Sequence, residues 1–151
     1  VTFFGQPDDL LMTVSIEFTQ SPTEQHREAI LQPLRAYNIS QAGEPRLQTI
    51  AWLLRDPQGG EVIGGLYGKI SAGWMFIELL SVPESLRGQG VGRQLMIQAE
   101  AQARSAGCTG IWLDTFSFQA PAFYRKLGFT VFGELADYPL GHTRYFMRKL
   151  L

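Results

Sequence analysis

Between Leu80 and Gly92 the sequence reads Leu80-Ser81-Val82-Pro83-Glu84-Ser85-Leu86-Arg87-Gly88-Gln89-Gly90-Val91-Gly92. An apolar strand pattern beginning at Trp74 stops at Pro83. Three glycines at alternate positions follow. From Val91 onward the apolar residues Val91, Leu95, Met96, Ala99, Ala103 and Ala106 recur on one helical face, up to the natural stop at Gly107. The chain must therefore place a strand end, a flexible turn and a helix start at one point. Glycines allow the turn to close so that its N–H groups converge. The helix start adds the positive end of its dipole. The junction is built for a phosphate or pyrophosphate. Two common nucleotide loops do not fit it. A nicotinamide fingerprint needs G-x-G-x-x-G after a parallel strand, and Gly88, Gly90 and Gly92 are spaced differently. A Walker loop needs Lys and Ser or Thr after its last glycine, where Arg93 and Gln94 stand.

The elements on either side bound the fold. Val14–Thr19 alternates apolar and polar residues and is predicted to be a strand. Ser21-Pro22 offers a helix start, and Pro33 is expected to break the following helical run in two. Leu47–Arg55, Glu61–Ile70 and Trp74–Val82 are three strands of an antiparallel meander, the first two joined by a turn over Asp56–Gly60. After the main helix come a strand over Thr109–Thr115, a short helix over Ala120–Leu127, and strands over Phe129–Leu135 and Thr143–Leu150. A helix that follows a meander and returns to a further strand makes a mixed α/β domain.

Composition narrows the function classes. The 151 residues are one domain's worth of chain, read as an uncertain extension over 1–13 and a single domain over 14–151. Thirteen basic side chains against fourteen acidic ones give a net charge of -1, which argues against a nucleic-acid partner. One cysteine, Cys108, and two histidines make a poor metal set, so no metal is expected. The longest apolar runs are far short of the ~20 residues of a membrane span. No membrane partner and a cytoplasmic location are the expectations.

The glycine loop resembles the acetyl-CoA signature of the GNAT superfamily of N-acetyltransferases, [RQ]-x-x-G-x-[GA], read here as Arg87-Gly88-Gln89-Gly90-Val91-Gly92. A second family element, N-x-x-A-x-x-[LF]-Y-x-K-x-G-F, is similar to Ser117–Phe129, with Ser117 where the family often has Asn. The resemblance implies a largely antiparallel sheet of seven strands flanked by about four helices. It implies acetyl-CoA as cosubstrate and direct attack by an amine, with a small-molecule acceptor the favoured one. A non-catalytic acyl-CoA sensor, or an enzyme acting on aminoacyl-tRNA or protein, are the alternatives. Dimerisation is common in the family, so a homodimer is compatible with it.

The resemblance also implies site roles. The cofactor would enter a V-shaped gap between Trp74–Val82 and Thr109–Thr115, opened by a bulge in the first of these strands. Leu80 and Val82 would offer backbone contacts, and the amides of Arg87, Gly88, Gln89, Gly90, Val91, Gly92 and Arg93 would hold the pyrophosphate. Ser117 stands at a cofactor-contact position. Tyr124 matches the tyrosine that serves as general acid, against the plainer reading of a core aromatic. Glu78 comes from the residues themselves. It interrupts the apolar run Phe76-Ile77-Glu78-Leu79-Leu80, where burial would raise its pKa and suit it as a base; a salt-bridged sheet residue is the other reading. His142 and Asp137, between the last two strands, are read first as turn residues, and Cys108 as a small buried hydrophobe.

Overall fold

The computed structural model describes residues 14–151, and the extension expected over 1–13 lies outside them. The chain divides at Gly43 into two units. The first holds helix α1, Glu24–Ala42. Its N-cap is Thr23 rather than Ser21. The Thr23 hydroxyl accepts from the His26 amide at 3.2 Å, and His26 Nδ1 accepts from the Thr23 amide at 3.2 Å. This reciprocal pair satisfies two end donors at once. Pro33 does not split the helix, which runs through it. Proline only removes the hydrogen bond to the Ala29 carbonyl; caps at both ends hold the rest, the Gly43 amide donating to Ile39 at 2.8 Å. Val14–Thr19 forms no strand. Three alternating apolar residues are a weak signal, and a strand exists only where a neighbour completes its ladder.

The second unit is a six-stranded sheet. Its strands are β1 (Gln48–Arg55), β2 (Val62–Ser71), β3 (Trp74–Ser81), β4 (Gly110–Phe116), β5 (Thr130–Ala136) and β6 (Thr143–Leu150), in the spatial order β1-β2-β3-β4-β6-β5. With α1, helices α2 (Val91–Ser105) and α3 (Pro121–Lys126) make three α-helices among the described residues. The mixed, largely antiparallel architecture is as expected, with six strands and three α-helices among the described residues where about seven and four were expected. Among the described residues only β3 and β4 pair in parallel, because α2 carries the chain across between them.

The core lies where α2 covers the sheet. Leu66 and Ile70 of β2, Met75 and Ile77 of β3, Ile111 and Leu113 of β4 and Met147 of β6 meet Leu95, Met96, Ala99 and Ala103 of the helix. The two alanines are fully buried and let the helix approach the strands closely. A Glu100 carboxylate bonded to Arg104 at 2.8 Å and to Lys149 at 2.6 Å ties α2 to β6. Ile111 sits at the centre with no exposed surface. Ile111→Ala should cost about 2–5 kcal/mol through lost burial and a residual cavity. Urea unfolding would show this as a lower midpoint at unchanged slope.

Candidate active site

The parallel ladder between β3 and β4 has only four pairs, Trp74↔Gly110 to Ile77↔Leu113. Opposite β2, the register jumps from Gly68↔Ile77 to Tyr67↔Leu79, so Glu78 is the extra residue of a β-bulge. Past the bulge β3 stays with β2 as far as Ser81, while β4 stays with β6 as far as Phe116. The two strands therefore part, and a cleft of about 860 Å³ opens between them.

One wall of the cleft is the end of β3 and the glycine loop. Leu80, Val82, Arg87, Gly88, Gly90, Val91, Gly92 and Arg93 all line it. Gly90 is the N-cap of α2 at φ 80, and Gly88 turns at φ 73. Among the described residues, the amides of residues 88–93 donate to no other group of the protein. These are the orphan donors of a helix start, gathered in one place. Added Cβ atoms at Gly88 and Gly90 would meet no protein atom within 4 Å, so the space in front of the loop is open. The arrangement fits a pyrophosphate. The Arg87 side chain bonds the Val82 carbonyl at 3.1 Å, bracing the loop against the strand end. Gln89 does not line the cleft; its side chain donates to the Ser85 carbonyl at 3.0 Å.

The other wall is built from the end of β4 and α3. Asp114, Thr115, Phe118, Gln119, Ala120, Phe123 and Tyr124 line it. Tyr124 is 8% exposed. Burial, with a further contribution from the Asp114 charge, pushes its phenol from the ordinary value of 10 up to about 12. The phenol is thus protonated throughout the neutral range. Asp114 itself is held by Arg144, whose guanidinium makes two contacts with the carboxylate, at 3.0 and 2.9 Å. That pairing raises the Arg144 pKa further.

Two expectations change. Glu78 is exposed, not buried, because the bulge takes it out of the regular pleat. It lines the cleft and pairs with no basic side chain among the described residues, so the salt-bridge reading also finds no partner. Ser117 does not line the cleft; its hydroxyl accepts from the Thr143 amide at 3.1 Å and lies 3.4 Å from His142 Nδ1. Phe118 and Gln119, which no sequence signal singled out, occupy the wall beside it. Asp137 is a turn residue, its carboxylate accepting from the Gly141 amide at 3.1 Å. Cys108 is buried, and burial pushes its thiol upward, away from nucleophilic use.

The cleft is thus a gap between splayed parallel strands, with a free-amide cradle on one wall and a protonated tyrosine on the other. The GNAT acetyltransferase family model matches residues 14–129, and the chain belongs to that family. It is an acetyl-CoA-dependent acetyltransferase. An acetyltransferase of Agrobacterium fabrum is 37% identical over 122 residues, covering 81% of this chain and 88% of that protein. The blasticidin-S acetyltransferase of Streptomyces morookaense is 41% identical over 93 residues, 61% of this chain and 68% of its own. A crystal structure of an acetyltransferase from Agrobacterium tumefaciens matches with a TM-score of 0.84 at 33% identity, over 91% of this chain and all of that one. Among the described residues no helix is long and apolar enough to cross a membrane.

The coupling of Asp114 to Tyr124 is measurable. Asp114→Asn should lower the Tyr124 pKa from about 12 while leaving it above the ordinary 10, since burial is the larger cause. Titration of ring-labelled tyrosine by carbon NMR would read it. An unmoved Tyr124 resonance would show that the carboxylate charge does not reach the phenol.

Proposed function

We propose that residues 14–151 act as one catalytic domain that acetylates the amine of a small molecule, with Tyr124 as general acid and Glu78 as the proton acceptor. The observation that carries this reading is the pairing of the free-amide cradle with Tyr124 across a gap the sheet itself opens. Bound acetyl-CoA supplies a thioester carbonyl carbon, on which a C–N bond forms as the C–S bond breaks and CoA leaves as the thiol.

Each residue then has a task. The amides of residues 88–93, with Arg87 bracing them, bind the pyrophosphate by charge-assisted hydrogen bonds. The backbone of Leu80 to Val82, on the side that has lost its β4 partner, binds the pantetheine arm as a strand edge would. An amine arrives as an ammonium and must lose one proton before it can attack. Glu78, exposed at the bulge and without a cationic partner among the described residues, accepts that proton directly or through water. Negative charge building on the carbonyl oxygen needs an N–H donor, which the β3 backbone past the bulge supplies. Tyr124 donates its hydrogen bond and proton toward the departing sulfur and regains a proton from the acylated nitrogen. Its raised pKa keeps the phenol neutral between turnovers. Glu78 and Tyr124 both line the cleft, which favours an enzyme over a sensor. A small-molecule acceptor is supported by the relative named for blasticidin S.

Two variants test the roles. Gly90→Val forces a β-branched residue to a φ of 80, at a cost of about 1–2 kcal/mol, or roughly tenfold in acetyl-CoA affinity. Calorimetric titration would measure it, and undiminished affinity would remove Gly90 from the cradle. Tyr124→Phe should lower kcat about 100-fold and acetyl-CoA affinity far less. Equal turnover of the two proteins would take Tyr124 out of the reaction.

A further inference from the structure

The wall of the cleft carried by β4 continues into an aromatic stack that the acetyl transfer itself does not use. Phe118 lies parallel to Phe116, with ring centroids 5.2 Å apart and planes 5° from one another. Phe116 stacks in turn on Tyr138, at 6.0 Å and 12°. The His142 ring stands nearly perpendicular to Phe118, at 79° with centroids 4.8 Å apart. These two contacts brace the Phe118 ring. Yet Phe118 is 56% exposed, and it lines the cleft that holds Glu78 and Tyr124. A phenyl ring used only for packing would bury its face; this one is braced and left open.

We propose that the acceptor is an amine joined to an aromatic or heteroaromatic ring, the ring stacking on Phe118 and the ammonium drawn to Glu78. The proposal rests on the acetyltransferase reading given above and names the class of its acceptor. Charge selects in the same direction. Of the two carboxylates just past the last β3–β4 pair, Asp114 is neutralised by Arg144 and Glu78 is not. One free carboxylate suits a single ammonium. A polycation would want more than one such partner. An acceptor carrying its own carboxylate would be repelled by Glu78 and would find Arg144 already engaged.

The test compares two amines matched in length and charge, phenethylamine and its saturated analogue cyclohexylethylamine, with acetyl-CoA as donor. Ring stacking is expected to give phenethylamine a kcat/KM about three- to tenfold higher. Phe118→Leu should bring that ratio to about one, and Phe118→Tyr should keep it. Equal values for the two amines in the unaltered protein overturn the proposal. So does a failure to acetylate either amine by protein that binds acetyl-CoA in the calorimeter. Absence of acetyl-CoA binding is a different result: it overturns the acetyltransferase reading, and this proposal with it.

Discussion

Beyond Ile77 and Leu113 the two parallel strands at the centre of the sheet stop exchanging hydrogen bonds. Unpaired backbone groups in a sheet interior are costly unless something satisfies them. Here the cost is met by separation. The bulge at Glu78 re-aims β3 and keeps it on β2, and β4 stays on β6 through Asp114↔Phe146, Thr115↔Tyr145 and Phe116↔Arg144. The Asp114–Arg144 ion pair spans the β4–β6 ladder, with the guanidinium over the Tyr138 ring at 5.1 Å. Such a two-point, partly buried contact is stronger than a surface pair. It holds β4 on the far side of the gap. The cleft is thus a property of strand pairing, and the glycine loop and α3 inherit their positions from it.

The same divergence sorts the charges. Glu78 and Asp114 each follow the last residue paired between β3 and β4, so the sheet delivers two carboxylates to the vertex of the cleft. Their environments then set them apart. Asp114 is hydrogen-bonded to and paired with Arg144, whose guanidinium lies over aromatic rings; Glu78 stands exposed on a bulge. One carboxylate becomes a fixed feature of the wall, and its charge reaches Tyr124. The other faces the cleft without a basic partner among the described residues. A buried phenol and an open carboxylate thus stand on opposite walls of one gap.

The strands and the main helix were legible because their periods are strong and their ends carry glycine or proline. β6 runs over Thr143–Leu150, as the sequence predicts, and α2 begins at the residue after Gly90. What escaped the sequence was whatever depends on a neighbour. Val14–Thr19 has the alternation of a strand but forms none. Pro33 reads as a break, yet the helix tolerates one missing bond when its ends are capped. Glu78 looked buried because its run is apolar on both sides, and that inference assumed an unbroken pleat. The resemblance implied a bulge somewhere in this strand. Only the register against β2 puts it at Glu78 itself, and a bulged residue leaves the face its neighbours occupy. Phe118 was invisible for a related reason. Its significance lies in stacking on Phe116 and facing the cleft, and neither is a property of one position.

The glycine loop shows how a motif can be read as mechanics. Gly90 and Gly92 look equivalent in the sequence, but different demands fall on them. Gly90 caps α2 from the left-handed region, where any side chain is strained whatever the space around it. Gly92 lies inside the helix. A Cβ there would come no nearer than 3.4 Å to Phe123 and 3.6 Å to Val82, which is ordinary contact. The first position therefore demands glycine, and the second accepts alanine. That is the distinction the family signature draws between its fixed glycine and its Gly-or-Ala position. Phe123 and Val82 stand on opposite walls, so the small residue at 92 is also where the cradle and the tyrosine-bearing helix come together.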